Sequence, residues 1–232
     1  MSEARPLPPI ALDPEGVVFD MDGVLCDSEP LWAAARFAVA EAVGSSITEE
    51  DFHAFYGSNT AQWSAGMAKL FGHPDPAEIA RLTVEHLLNA YKSGAIRPIS
   101  SGVAALRRAA ARGPVAVASG SPRVVIGTVL ELLGLASVVR EYVSCDEVTA
   151  GKPLPDVYLE ACRRIGITPS RSLAIEDSLA GARAGKAAGM TVVLVPLDGA
   201  PSSAGAEEFA DVILKSLDEL PLTPRPEQAA SS

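Results

Sequence analysis

Residues 19–32 read FDMDGVLCDSEPLW, and this stretch decides how the rest of the sequence is interpreted. It continues a short apolar run, GVVF at residues 16–19, which predicts a buried strand that ends at Asp20. Asp20 and Asp22 therefore lie two residues apart, in a glycine-containing loop at the end of a strand. Asp-Gly is a common turn pair, so an isolated motif of this kind is more often an ordinary turn than a functional site.

A second acidic pair weakens that alternative. Glu176 and Asp177 follow another apolar run, LAI at residues 173–175. The ends of parallel strands lie at one edge of a sheet, so three or four carboxylates would meet there. Two like charges about 4 Å apart cost ~4 kcal/mol at an effective dielectric of about 20, so the cluster implies a cation. Oxygen ligands select a hard cation, and we expect Mg²⁺ if phosphate completes its shell. The expected metal-binding residues are Asp20, Asp22, Glu176 and Asp177.

Short apolar runs alternate with longer amphipathic stretches along most of the chain. The runs predict buried parallel strands, because helices on both faces of a sheet leave its strands continuously apolar. They lie at residues 16–20, 115–119, 173–176, 191–195 and 212–214. The amphipathic stretches predict helices at residues 102–111, 123–133, 156–165 and 179–188. This alternation predicts an α/β fold with a doubly wound parallel sheet, a Rossmann-like core.

One block interrupts the alternation, because its patterns are all helical. It could act as a cap, since a block inserted after the first strand lies over the strand ends, where open α/β sheets bind ligands. The predicted domains are a core of residues 15–29 and 95–220, an all-helical cap of residues 30–94, and flexible tails at residues 1–14 and 221–232. The helical patterns of the cap lie at residues 31–43, 49–56, 60–71 and 76–91.

Composition limits the classes of function. The 232 residues are 48% hydrophobic, which is enough for a globular core, and carry a formal charge of −10. This acidic balance argues against nucleic acid and membrane as partners, because both require a basic surface. A small phosphorylated metabolite is still possible, since a metal and a lysine can invert the field locally. The three cysteines lack CxxC spacing, so we expect a reducing, cytoplasmic setting. For the oligomeric state we expect a monomer or weak homodimer.

Two further segments offer groups that could hold an anion. The run at residues 115–119 ends in ASGSPR, which supplies the Ser119 hydroxyl and the backbone N–H groups of Gly120 and Ser121 before a predicted helix. An ordinary serine N-cap is an equally good reading of that segment alone. Lys152, in AGKPLPDVY, would most often be a surface lysine. Beside the carboxylates it would balance both Asp20 and a phosphoryl oxygen.

Together these segments resemble the signature of the haloacid dehalogenase-like superfamily over roughly residues 16 to 200. The resemblance is carried by DxDGVLxDSE at 20–29, Ser119, GKPxPD at 151–156 and EDSxxG at 176–181. The helical block is similar to the cap of the branch that contains β-phosphoglucomutases and sugar-phosphate phosphatases. The resemblance therefore implies a Mg²⁺-dependent phosphoric monoester hydrolase that acts on a small phosphomonoester, such as a sugar phosphate.

The same resemblance implies a role for each residue. Asp20 would be the nucleophile that forms an aspartyl-phosphate, and Asp22 the general acid and base. The Asp20 side chain, the Asp22 carbonyl and Asp177 would hold the metal, with Glu176 as a ligand or a partner of the ligands. The remaining phosphoryl oxygens would be held by Ser119, Gly120 and Lys152.

Two departures from the mutase branch favour a phosphatase. Trp32 stands where a histidine is usual, and GSNT at residues 57–60 lacks the expected basic residue. A β-phosphoglucomutase-type phosphomutase is nevertheless the main alternative. A non-catalytic module that binds a phosphorylated ligand and regulates a partner is the other, although such a module has no need of Asp22. In the cap, Trp32 and Arg36 are the best candidates for substrate contact, whereas Trp63 and the other aromatic residues are more often helix-packing core.

Overall fold

The computed structural model describes residues 13–52, 58–197 and 203–222. Its centre is one sheet of six parallel strands in the order β3-β2-β1-β4-β5-β6. The predicted doubly wound α/β fold is confirmed. The strands are β1 Val17–Phe19, β2 Val115–Ser119, β3 Glu141–Ser144, β4 Leu173–Glu176, β5 Thr191–Leu194 and β6 Val212–Ile213.

Strand β1 occupies the middle of the sheet. Phe19 pairs with Val117 on one side and with Ile175 on the other. All three residues of β1 are buried, and they alternate between faces, with Val17 and Phe19 in one hydrophobic cluster and Val18 in the other. Because β1 and β4 are neighbours, the loops that follow them lie side by side.

Strand β3 was missed by the sequence analysis. Its sequence, EYVS, has no continuous apolar run, and only its last two residues are buried. It pairs with β2 alone and forms an edge of the sheet, so the burial on both faces that makes a strand easy to recognise does not apply to it.

Helices cover both faces of the sheet. Leu106 and Ile126 pack in one cluster, and Tyr158 and Ala182 in the other, so each face carries two helices that follow the strands. The α-helices of the described residues are α1 Glu29–Ala42, α2 Glu49–Phe52, α3 Thr60–Phe71, α4 Pro76–Ala90, α5 Ser100–Ala110, α6 Arg123–Leu132, α7 Asp156–Ile165 and α8 Leu179–Ala187.

Helices α1 to α4 are inserted between β1 and α5, as predicted for the cap. Helix α4 packs against both α1 and α3, and Val39, Trp63, Met67 and Ile79 form a small core of their own. A π-helical turn at Tyr91–Ala95 leads back to the sheet. The predicted helical pattern at residues 49–56 lies outside the described residues from residue 53 onward.

The ends of the chain are only partly described. The predicted tails at residues 1–14 and 221–232 lie outside the described residues except for 13–14 and 221–222. Leu222 is buried in the same cluster as Phe19, two residues past the predicted end of the core. Among the helices that the structure describes, none is both long and apolar enough to cross a membrane.

Candidate active site

The loop after β1 presents Asp20 at the carboxyl edge of the sheet. Its backbone N–H donates to the carbonyl of Ile175 at 2.9 Å, which fixes the start of the loop against β4. The Asp20 carboxylate is nearly buried, and its Oδ1 accepts a hydrogen bond from Lys152 Nζ at 2.8 Å. Within the described part of the chain, no group donates a hydrogen bond to its other oxygen. Asp20 therefore keeps one oxygen available for chemistry.

Lys152 joins two of the acidic residues. Its Nζ lies 2.8 Å from Asp20 Oδ1 and 2.6 Å from Glu176 Oε1, and its side chain is only 4% exposed. Burial by itself lowers the pKa of Lys152, but the charges of Asp20 and Glu176 outweigh it and raise that pKa well above its usual value. Lys152 is therefore a fixed ammonium rather than a surface lysine.

Glu176 is fully enclosed by hydrogen-bond donors. Oε1 accepts from Lys152 and from the hydroxyl of Tyr158, and Oε2 accepts from the backbone of Asp177 and from the Ser178 hydroxyl at 3.1 Å. Its side chain has no exposed surface. Because both oxygens are engaged by protein groups, the geometry makes Glu176 the residue that anchors Lys152.

Asp177 has the opposite surroundings. It is 6% exposed and lines a cavity, and no described residue donates a hydrogen bond to its carboxylate. One carboxylate oxygen each from Asp20, Glu176 and Asp177 lies within 4.8 Å of the others. Burial raises the pKa of Asp20 to about 8 against the attraction of Lys152, and burial also raises the pKa of Asp177. Three buried carboxylates beside one ammonium form a set of oxygen donors that fits a hard divalent cation.

Two glycines allow this close packing. Gly23 has a φ of 79°, and a Cβ added to it would lie 2.0 Å from Asp177 Oδ2. A Cβ on Gly181 would lie 1.8 Å from Glu176 Oε1. The glycine of DxDG and the last glycine of EDSxxG are therefore required so that β1, β4 and α8 can bring their carboxylates together.

Asp22 lies in a ring of serine hydroxyls. Ser28 donates to Oδ1, and Ser119 and Ser121 donate to Oδ2 at 3.0 and 2.8 Å. The Ser119 hydroxyl also accepts from the backbone N–H of Ser121, and Ser119 has no exposed surface. Ser119 therefore holds Asp22 and shapes the turn, while Gly120 and Ser121 line the cavity beside it.

The cavity has a volume of about 160 Å³ and lies where the loops of the sheet meet the cap. Trp32 and Trp63 both line it and meet edge to face, with ring centroids 5.9 Å apart at 72°. The Arg36 guanidinium lies 5.5 Å from the centre of the Trp32 ring. On the cap side the cavity is lined by Asp27, Glu29, Trp32, Arg36, Ser58 and Trp63.

The structure brings together most of the residues expected from the sequence. Asp20, Asp22, Gly120, Lys152 and Asp177 all line this one cavity, as do Trp32 and Arg36 of the cap. Ser119 and Glu176 lie directly behind them as supports. Ser28, Tyr158 and Trp63 were not predicted as site residues, although Ser28 stands inside the first motif. Ser121 was expected to offer its backbone N–H to an anion, and in the structure its hydroxyl holds Asp22.

Comparisons with known proteins agree with this geometry. The profile of the haloacid dehalogenase-like hydrolase family matches residues 14–189. The chain is 32% identical over 212 residues to hexitol phosphatase B of Escherichia coli K12, covering 88% of this chain and 92% of that protein. It is 31% identical over 183 residues to the fructose-1-phosphate phosphatase YqaB of the same organism, covering 78% of this chain and 96% of that protein.

A longer relative contains this unit as a part. The chain is 33% identical over 190 residues to the chloroplastic protein SUPPRESSOR OF QUENCHING 1 of Arabidopsis thaliana, covering 77% of this chain but 17% of that protein. Among solved structures, CbbY from Rhodobacter sphaeroides superposes in a complex with phosphate, with a TM-score of 0.73 and 26% identity over 89% of this chain and 96% of the other. A mutant of CbbY in complex with xylulose-1,5-bisphosphate superposes with a TM-score of 0.74 and 28% identity over the same shares. The chain belongs to the haloacid dehalogenase-like hydrolases.

Proposed function

We propose that this chain is a Mg²⁺-dependent phosphatase that hydrolyses a small phosphomonoester, a sugar phosphate, through an aspartyl-phosphate on Asp20. Its family makes it a hydrolase, and its phosphatase relatives make it a phosphoric monoester hydrolase. The proposal rests on two carboxylates whose oxygens are not all engaged in hydrogen bonds with described residues. Asp20 and Asp177 keep oxygens that accept no hydrogen bond from any described residue, and both line a cavity beside a buried ammonium.

Those two side chains are the proposed metal ligands. Asp20 and Asp177 would contribute one oxygen each, with the backbone carbonyl of Asp22 as the third protein ligand. A bound Mg²⁺ would supply positive charge to the transferring phosphoryl group. Glu176, whose oxygens are already engaged, holds Lys152 in place instead of entering the ligand set.

Asp20 then acts as the nucleophile. Its Oδ1, which accepts a hydrogen bond from Lys152, attacks phosphorus while the bond to the leaving alcohol breaks, and the other oxygen is the one that would hold the metal. Lys152 and the backbone N–H of Gly120 hold the phosphoryl oxygens that face them. These donors are fixed before the substrate arrives, so little reorganisation is needed during the reaction.

Asp22 moves the protons. It gives a proton to the departing alkoxide and later takes one from the water that attacks the aspartyl-phosphate. Three serine hydroxyls surround its carboxylate, and we infer that one of these hydrogen bonds yields to the substrate oxygen during each transfer. The second step releases phosphate and restores Asp20.

The phosphomutase is the second candidate, because the CbbY mutant superposes in a complex with a bisphosphate. A mutase would return the phosphoryl group from Asp20 to a second hydroxyl of the sugar, whereas a phosphatase gives it to water. Trp32 and the stretch around Thr60 depart from the mutase pattern, which supports the phosphatase.

We also propose a cytoplasmic location, for which the support is three buried cysteines without a disulfide. All proposed site residues come from one chain, so a monomer would suffice.

A hydrolysis screen tests this proposal. The protein is incubated with a panel of sugar monophosphates, with Mg²⁺ or with EDTA, and both free phosphate and isomerised sugar phosphate are measured. We expect phosphate release only with Mg²⁺, and a loss of at least ~10³-fold in kcat for Asp20→Asn. The matched control is Asp218→Asn, which changes an exposed carboxylate outside the cavity. Retention of activity in Asp20→Asn would exclude Asp20 as the nucleophile, and isomerised product formed faster than phosphate would favour the mutase.

A further inference from the structure

Aromatic and charged side chains line the cap side of the cavity, and the proposed reaction does not use them. Glu29, Trp32 and Arg36 follow one another at three and four residues along α1, so they share one face of that helix, and all of them line the cavity. Trp63 of α3 completes this surface, which we call the cap wall: Glu29, Trp32, Arg36 and Trp63. The chain has two tryptophans in all, and both belong to it.

The cap wall is held rigidly from behind. Trp63 is 3% exposed and packs in the small core of the cap, and Trp32 packs partly against the same core. Arg36 is 6% exposed, and its guanidinium lies against the Trp32 ring. An aromatic surface that is fixed in this way presents apolar area to a ligand without a loss of side-chain freedom on binding.

The charge of the cap side is unsuited to a second phosphate. The charged side chains that line it among the described residues are Asp27, Glu29 and Arg36, two negative and one positive, a formal sum of −1. Arg97 lies 3.9 Å from the Asp27 carboxylate, but this pair is exposed and Arg97 is not among the cavity residues. A phosphate placed here would meet two carboxylates and a single guanidinium that already stacks on Trp32.

We propose that the cap wall selects monophosphates of sugars or sugar alcohols and rejects bisphosphates. The C–H groups of the carbon chain pack mainly on Trp32, which is partly exposed, because such hydrogens are attracted to the negative face of an aromatic ring. Trp63, which is 3% exposed, adds the small area that lines the cavity and holds Trp32 in place. The carboxylates of Asp27 and Glu29 accept hydrogen bonds from hydroxyl groups, which a polyol has and a phosphate dianion lacks. This inference rests on the proposed phosphatase function, since it concerns the substrate of the same site.

Tryptophan fluorescence tests the proposal, because every tryptophan of the chain lies on the cap wall. The Asp20→Asn protein, which we expect not to turn over, is titrated with fructose 1-phosphate, fructose 1,6-bisphosphate and inorganic phosphate in the presence of Mg²⁺. Trp32→Phe and Trp63→Phe, each added to Asp20→Asn, leave one reporter apiece. We expect fructose 1-phosphate to change the emission of both, and the bisphosphate to bind at least ~10-fold more weakly. Equal affinity for the two sugars, or saturation by fructose 1-phosphate without an emission change, would overturn the proposal.

Kinetics on the active protein separates this inference from the proposed function. For Trp63→Leu we expect KM for fructose 1-phosphate to rise about 10-fold, with KM for ethyl phosphate, which is too short to reach the cap wall, changed less than about 2-fold. Trp63→Phe should keep most of the affinity, and unfolding curves establish that each variant is folded. A parallel loss with both substrates would contradict the assignment of the cap wall. If the wild-type protein hydrolyses neither substrate, the proposed function fails, whereas the fluorescence titration still decides the binding preference.

Discussion

The carboxyl edge of the sheet and the cap wall form two sides of one cavity and are built in different ways. At the sheet edge, buried charged groups from separate strands hold one another, as Lys152 holds Asp20 and Glu176. At the cap wall, Trp32 and Trp63 come from two helices of one inserted segment and are held by packing. The sheet edge has little freedom to vary, because each charge depends on another. The proposed reaction uses no side chain of the cap wall, so we expect substitutions there to change specificity more than chemistry.

The largest effect should come from removing the ammonium that joins the buried carboxylates. Lys152→Met leaves Asp20 and Glu176 without their partner, and we expect a loss of about 3–5 kcal/mol in the free energy of unfolding. Phosphatase activity should fall by ~10²–10³-fold, since a fixed charge beside the phosphoryl group is lost. Urea unfolding and phosphate release measure the two effects.

The matched control is the exposed pair of Lys186 and Asp211, whose lysine side chain is 47% exposed. Lys186→Met should cost less than ~1 kcal/mol, because water screens exposed ion pairs. If both lysine variants lost a similar free energy of unfolding, the buried ion pairs of Lys152 would stabilise the fold no more than an exposed pair does.

A glycine pair tests whether close packing at the sheet edge is required for metal binding. Gly23 and Gly44 both have a positive φ, at 79° and 70°, but an added Cβ would strike Asp177 at Gly23 and meet nothing within 4 Å at Gly44. Both alanine variants should lose about 1 kcal/mol from the strained backbone. Gly23→Ala alone should also weaken Mg²⁺ binding by ~10–100-fold, because Asp177 must move.

Calorimetric titration with Mg²⁺ measures this difference, and urea unfolding measures the shared loss. Equal Mg²⁺ affinity in the two variants would mean that the position of Asp177 does not matter for binding the cation.

The smallest effect should be seen where the cap contacts the core. The Thr60 backbone N–H and hydroxyl donate to the two carboxylate oxygens of Asp146 at 2.8 and 2.6 Å, and this contact links α3 to the loop after β3. Thr60→Val removes only the hydroxyl bond to Asp146, so we expect the contact between the cap and the core to be weakened by ~0.5–1.5 kcal/mol. KM for the sugar phosphate should then rise about 2- to 10-fold.

Thr128→Val is the control, since that hydroxyl donates to the carbonyl of Val124 within its own helix and makes no contact between the cap and the core among the described residues. Steady-state kinetics gives KM for the sugar phosphate in both variants. An unchanged KM for Thr60→Val would show that this contact does not help to hold the cap over the substrate.

The two sides of the cavity also differ in how far the sequence predicts them. Asp20, Lys152 and Asp177 could be found because each stands in a short motif, and two of these motifs follow an apolar run. Tyr158 could not, because it lies on a helix face where an aromatic residue is normally core, and only the fold brings its hydroxyl to Glu176. The role of Glu176 also needed the structure, since a motif does not tell which oxygens are already engaged.

The residues of the cap were harder to predict from the sequence than those of the sheet edge. Trp63 follows a helical pattern typical of packing residues, and it does pack in the core of the cap while one side lines the cavity. Thr60 stands in the stretch where a basic residue was expected, yet its partner Asp146 lies 86 residues further along the chain. Pairings of this kind depend on how the inserted helices sit on the sheet, which periodicity does not specify.

Trapping the phosphorylated protein shows whether Asp20 carries the phosphoryl group. The protein is mixed with a phosphate-labelled sugar phosphate and Mg²⁺, quenched in acid during turnover, digested, and mapped by mass spectrometry. We predict a labelled peptide with the phosphoryl group on Asp20 in the wild-type protein, and no label in Asp20→Asn or in the presence of EDTA. Label on any other residue, or steady turnover by Asp20→Asn, would show that Asp20 is not the nucleophile.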